Sequence, residues 1–262
     1  MRRKLIGRQL RVRRKQAGLP ASDPEVIAIV GSTRTQNRLE SGEATQLTFP
    51  IIGALCDLYG VPAEERFELQ RLWRLGPATT WTQPRDRSVF GFDAYRELEL
   101  HASEVYRYES TYIPGHLQTE RHMRGLFSRN RDLEPEEVER NVNERLRWQR
   151  PFWHGADRRA YFLLSEAVLR FGCDQEQLDH LKAADALEHA TVNYLPFDGG
   201  PPSGLHVPFA LLSFEEESDP DIVYVEAQDS HLYFEESSSV RHYRTCLDKA
   251  DDQARSIKEF RP

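Results

Sequence analysis

The chain has 262 residues, 39% of them hydrophobic and 10% aromatic, which is too apolar for a disordered chain and long enough for two domains. No apolar run approaches the roughly 18 residues a membrane-spanning helix needs, and the basic start Met1-Arg2-Arg3-Lys4 leads into no signal-peptide core. The net charge of −7 hides a split: residues 1–76 hold thirteen Lys and Arg against eight Asp and Glu, while residues 77–262 hold twenty-two against thirty-four, as suits a nucleic-acid module joined to a body that avoids nucleic acid.

From Arg2 to Lys15 there are eight basic residues and no acid. Leu5, Ile6, Leu10 and Ala17 form a narrow apolar stripe at helical spacing, and Arg8, Arg11 and Lys15 fall on another face at i, i+3, i+7. That basic face either contacts phosphate or is simply solvated. Gly18 ends this helix. Ser22 or Asp23 caps a second, with Pro24 in its first turn and Val26, Ile27, Ile29 and Val30 as its apolar content.

Gly31-Ser32 is a tight turn into a third helix, Thr33–Ser41. Ser32 can cap its start, and Gly42 can take the positive φ that its end favours. Leu39 is its only large apolar residue, so the helix is solvated or faces something polar. Thr33, Arg34, Thr35, Asn37 and Arg38 are side-chain types that hydrogen-bond phosphates and base edges. A short helix, a Gly-containing turn and a second short polar helix make a helix-turn-helix. The expectation is a recognition helix with Ser32, Thr33, Arg34, Thr35, Asn37 and Arg38 at DNA, and Arg8 and Arg11 as phosphate contacts. A fourth helix, Phe49–Tyr59, and a fifth, Ala63–Leu75, supply core and scaffold.

Arg8-Gln9-Leu10-Arg11-Val12-Arg13-Arg14, Ala17-Gly18-Leu19 and then Asn37-Arg38-Leu39-Glu40-Ser41-Gly42 together resemble the XRE-type, phage-repressor-like helix-turn-helix. In that family an R-[IL]-E-x-G run closes the recognition helix, and Arg38–Gly42 matches it. Leu55–Val61 resembles the helix that follows. The resemblance implies a five-helix fold, structural roles for Leu39 and Glu40, and a palindromic operator bound by a homodimer. Three departures stand out. Pro20-Ala21-Ser22-Asp23-Pro24 replaces the usual T-Q-x-x-L-A with one residue more, and Gln36 stands where the family buries Val or Ile. Glu43-Ala44-Thr45 replaces a wing often rich in Arg and Lys, which weakens phosphate contacts.

Residues 77–92, with Pro77, Thr79, Thr80, Pro84 and Gly91, read as a linker with Trp81 as a docking residue. Beyond it the pattern predicts a helix over Tyr95–Tyr108 (Leu98, Ala102, Val105, Tyr106), a turn at Ile113-Pro114-Gly115, a helix over Gln118–Ser128 and a charged helix over Pro135–Gln149. Strand-like runs follow at 160–164, 191–194, 208–214, 222–225 and 231–234. A helix over Gln175–Ala190 lies among them, Gly199–Gly204 is a loop, and Val240–Ile257 is the last helix. The expected architecture is a mainly α helix-turn-helix domain over 1–76 and an α+β domain over 93–262 with a small antiparallel sheet.

Little in the second half carries chemistry. Cys56, Cys173 and Cys246 are scattered, with no CxxC or Cys/His ligand spacing, which fits a reducing, cytoplasmic setting. His101, His116 and His122, even with Glu109 or Glu120, match no metal motif. Glu226, Asp229 and His231 lie close enough around a hairpin turn to suggest acid/base work, but turn chemistry with exposed strand residues is the favoured reading. Ser165-Glu166 lacks a nucleophile elbow, and the Gly199–Gly204 loop lacks the features of a phosphate loop. No cofactor, metal or enzymatic activity is expected. Tyr106, Arg107, Tyr108 and Tyr112, with Glu109, either line a pocket or partner surface or pack half-buried against the sheet.

Leu98–Ser103, Tyr106–Glu109, Ile113–Glu120, Asn193–Phe197 and Ile222–Glu226, in that order, resemble the uncharacterised domain that follows the XRE module in many actinobacterial regulators. The resemblance covers nearly all of 90–258. It implies antitoxin-like regulators paired with a small neighbour-encoded protein in some members and developmental control in others, with no catalytic residues to carry over. The expected protein is a cytoplasmic transcriptional regulator that binds double-stranded DNA as a homodimer. Its second domain dimerises, senses a ligand or binds the small neighbour-encoded partner. The alternative is an antitoxin-like protein whose main role is sequestering that partner, with DNA binding secondary.

Overall fold

The computed structural model describes residues 2–75, 81–84, 94–154, 158–202, 204–215, 219–228 and 230–262. They form two compact units, one of residues 1–98 with 228–231 and one of 99–227 with 232–262. Most of the linker read over 77–92 lies outside the described residues; within it, Trp81–Pro84 is a short strand, β1.

The first unit is helical: α1 (Arg2–Gln16), α2 (Pro24–Val30), α3 (Thr33–Glu40), α4 (Phe49–Leu58) and α5 (Ala63–Arg74). Several boundaries have a local cause. Gly18, just past α1, has φ +73°. The Asp23 carboxylate accepts from the Glu25 N–H, and Pro24 opens α2 in a position where no N–H is needed. Leu5, Ile6 and Leu10 of α1, Val26 and Val30 of α2, Leu39 of α3 and Ile52, Leu55, Leu69 and Leu72 beyond are all buried and make the core. Ala17, expected on the α1 stripe, is exposed.

In the second unit seven strands run in the order β7-β6-β5-β2-β3-β4-β8. They are β2 (Glu104–Glu109), β3 (Arg159–Ser165), β4 (Ala190–Leu195), β5 (Phe209–Ser213), β6 (Ile222–Glu226), β7 (Ser230–Phe234) and β8 (Arg255–Ser256). β2, β3 and β4 pair in parallel, while β5 joins β2, β6 joins β5 and β8 joins β4 antiparallel. The expected small antiparallel sheet is therefore a larger mixed one. Parallel neighbours need long crossovers, and these are α7 (Glu120–Phe127) with α8 (Pro135–His154), then α9 (Glu166–Arg170) with α10 (Gln175–Ala184). A strand-like run carries no mark of which neighbour it will pair with.

The helix read over 95–108 is in fact α6 (Ala94–His101) followed by β2. Leu98, Ala102, Val105 and Tyr106 do fall at helical spacing, but Val105–Tyr108 pairs with β3 on one side and β5 on the other. Two ladders and a strand-favouring Val-Tyr-Arg-Tyr run outweigh the period. The last helix, α11, spans Ser237–Asp251, six residues short of the expected end, and residues 255–256 join the sheet as β8. One face of the sheet packs with α11 around Tyr108, Leu163, Leu211, Val223 and Leu247. On the other face, Phe162 of β3 meets Phe152 of α8 with ring centres 6.3 Å apart.

Candidate nucleic-acid interface

The helix-turn-helix is assembled by hydrogen bonds that reach only a few residues. Gly31 closes α2 at φ +90°, its N–H donating to the Ile27 carbonyl. Ser32 stays extended, and its hydroxyl accepts from the Thr35 N–H at 3.1 Å and lies 2.9 Å from the Thr35 hydroxyl. At the far end the Gly42 N–H donates to Leu39 and the Glu43 N–H to Arg38, the paired bonds of a Schellman stop, with Gly42 at φ +76°. A side chain at Gly42 would also meet the Lys4 backbone at 2.5 Å.

Three residues turn α3 away from solvent. Leu39 is fully buried. Glu40 accepts from Arg14 of α1 at 2.6 and 2.9 Å, and Gln36 donates to Glu40 at 2.6 Å and to the Tyr59 hydroxyl at 3.2 Å. Gln36, the departure from the buried Val or Ile, is thus itself buried and exchanges an apolar contact for a polar network. Burial, with Glu40 beside it, pushes the Tyr59 phenol up, so that hydroxyl stays protonated. α1 crosses α3 at Gly7, where a Cβ would collide with the carbonyl oxygens of Leu39 and Glu40.

The opposite face of α3 carries the expected DNA contacts, in three different states. Arg34 and Asn37 are exposed, Thr33 is half-buried, and the Arg34 guanidinium makes no ion pair or hydrogen bond among the described residues. Ser32 and Thr35 are occupied with each other at the cap. Arg38 is drawn past the helix end, donating to Glu43 at 3.1 Å and to the Ala44 carbonyl at 2.6 Å. On α1, Arg8 is half-buried and Arg11 exposed, its only carboxylate neighbour among the described residues being Glu40 at 3.9 Å. Four other arginines of the same basic run are structural: Arg14 through Glu40, Arg13 through Glu65 of α5, Arg2 through the Leu75 carbonyl and Arg3 over the Trp73 ring. The signal for Arg14 was Glu40 itself, a carboxylate on a helix face that had to be buried with Leu39.

The tyrosine segment of the second unit is divided by the pleat of β2, which sends successive side chains to opposite faces. Tyr108 lies in the core against Phe209. Tyr106, on the same face, donates to Glu104 at 3.1 Å beneath the Arg244 guanidinium. Arg107 points the other way and donates to Glu109 at 2.8 Å. Burial pushes the Glu109 carboxyl up, and Arg107 partly offsets this. Tyr112, in the following loop, is exposed. The four do not converge on one pocket.

The remaining candidates also separate. His116 is fully buried, stacked on Phe152 at 3.7 Å with its Nε2 2.7 Å from a Glu99 oxygen, whereas His101 is exposed and His122 lies on α7. Among the described residues no group of three His, Cys, Asp or Glu could hold a metal ion. Ser165 caps α9, accepting from the Ala167 N–H. Asp229 lies outside the described residues. No helix among them is long and apolar enough to cross a membrane.

Residues 5–69 match the family described as a helix-turn-helix domain, and residues 92–261 match that described as a domain of unknown function, DUF5753. No curated protein matches the chain. Among solved structures it is similar to TrmBL2, an archaeal chromatin protein whose structure shows a novel mode of DNA binding. That likeness has 11% identity and a TM-score of 0.33, and it covers 74% of this chain and 60% of the other.

Proposed function

We propose that this chain, which belongs to the DUF5753 family and carries a helix-turn-helix domain at its head, is a DNA-binding transcriptional regulator that reads its operator through α3. The observation that carries the reading is the division of α3. Leu39, Glu40 and Gln36 bind it to the scaffold, so Arg34 and Asn37 are held outward on a fixed helix. Those two side chains suit bidentate contacts to guanine and adenine edges, and Arg8 and Arg11 suit phosphates. In this reading the protein is XRE-type, non-enzymatic and dimeric on a palindromic site, and the second unit dimerises or senses a ligand.

Titration of the full chain against its own upstream DNA and a scrambled duplex at two salt concentrations tests this. Selective binding that weakens with salt supports it. Equal affinity for the two duplexes at both salts overturns it.

One observation favours a second reading, in which the chain chiefly sequesters a small neighbour-encoded partner and binds DNA secondarily. Arg38, a cation at the end of α3, is tied to Glu43, and the segment after Gly42 has no Arg or Lys before Thr48. Copurification from the native host of a small protein at one copy per chain, beside unselective DNA binding, is the result that reading requires.

A further inference from the structure

The second unit holds a groove of about 410 Å³ between the loop at Thr111–Ile113, α7 and the end of α9. That volume lies in the range of small-molecule sites. Its lining joins two kinds of surface. Tyr112 and Phe171 are large aromatic side chains left 59% and 72% exposed, over buried Ile113 and Val168. Arg121 and Arg129 also line it. The Arg129 guanidinium makes no ion pair or hydrogen bond among the described residues, and Arg121 stands 3.4 Å from Asp174 and 3.8 Å from Glu176 while 73% exposed. Asp174, the one carboxylate among the described residues of the lining, is already engaged, accepting from the Gln177 N–H at 2.9 Å.

A second observation concerns Gly125, inside α7. Glycine weakens a helix interior, and elsewhere in this chain it is justified by a close approach, as at Gly7. A Cβ at Gly125 would meet nothing within 4 Å. What Gly125 lines is the groove, so its missing side chain leaves that space open.

We propose that this groove binds a small organic anion, a carboxylate or sulfonate on an aromatic or branched apolar body. Arg129 holds the charged end, and Tyr112 and Phe171 cover the apolar one. The proposal gives a ligand class to the sensing role of the second unit and rests on that role only for its regulatory consequence.

Fluorescence titration of the full chain with 8-anilinonaphthalene-1-sulfonate, beside the neutral N-phenyl-1-naphthylamine, tests the site. The expected result is saturable binding of one sulfonate probe per chain, with the neutral probe at least about tenfold weaker, as loss of a charge-assisted hydrogen bond implies. Arg129→Ala weakens the sulfonate by a similar factor, and Gly125→Trp, with circular dichroism unchanged, abolishes its binding. Arg129 is exposed, so Arg129→Ala decides the matter if Gly125→Trp does not fold. Unsaturable binding, equal affinity for the two probes, or an Arg129→Ala chain that binds as tightly as the parent overturns the site. No DNA is present in this titration, so its failure and that of the operator titration are separate results.

Discussion

The guanidinium of Arg14 and the carboxylate of Glu40 meet through two hydrogen bonds, 2.6 and 2.9 Å long, with only 7% and 6% of the two side chains exposed. The pair joins α1 to the last turn of α3. Arg14 also donates to the Leu19 carbonyl at 2.6 Å, holding the chain between α1 and α2, and Glu40 also accepts from Gln36. The outward face of α3 is therefore positioned by charges on its inward face.

Removing one partner strands the other. Arg14→Ala and Glu40→Ala should each lower stability by about 3–5 kcal/mol, the cost of an uncompensated buried charge. Urea unfolding measures it, and the double variant should cost less than the sum of the singles. Strict additivity would mean that the two side chains do not act as a pair.

Two glycines should respond oppositely to the same change. Gly7→Ala drives a methyl into the Leu39 and Glu40 carbonyls and should destabilise by about 1–3 kcal/mol. Gly125→Ala meets open space in a helix and should stabilise by roughly 0.5–1 kcal/mol. Thermal unfolding of both, beside the parent, reads the two signs directly.

Arg34 and Arg38 should separate in DNA binding. Arg34→Ala is expected to cost about 1–3 kcal/mol of operator affinity and to relax specificity, as for a base-reading arginine. Arg38 is already engaged, so Glu43→Ala, which removes its carboxylate partner and leaves only the Ala44 carbonyl, should tighten binding to any duplex, with a steeper salt dependence. An Arg34→Ala chain with unchanged operator affinity would remove α3 as the reading element.

His116 ties stability to pH. Burial, with the charges of Arg107, Arg145 and Arg158, holds its pKa well below the usual histidine value even with a Glu99 oxygen 2.7 Å from its Nε2. The folded chain therefore keeps the imidazole neutral, while the unfolded chain takes up a proton below about pH 6.5. More protons bound in the unfolded state means that stability is full above that pH and falls as the solution is acidified. His116→Phe, which can keep the stack on Phe152, should lose less stability than the parent between pH 7.5 and 5.5. An identical loss in both chains would place the acid sensitivity elsewhere.

The helix ends of the first unit were legible because their causes are local. Asp23 and Ser32 cap through backbone two and three residues ahead, and Gly18, Gly31 and Gly42 take positive φ at the stops. A motif made of such signals is readable without knowing what it packs against. The polar character of α3 was legible for the same reason.

What only the tertiary structure decided concerns partners far along the chain. Which of eight basic residues in α1 serve the fold depends on Glu40 and Glu65, 26 and 52 positions away from Arg14 and Arg13. Whether Val105–Tyr108 becomes helix or strand depends on β3 and β5, and that choice then sends Tyr108 into the core and Arg107 to the opposite face. The groove between α7 and α9 exists only once two parallel crossovers lie side by side on the sheet. Local hydrogen bonds are encoded within a turn of chain, whereas burial and pairing are properties of segments that meet only after folding.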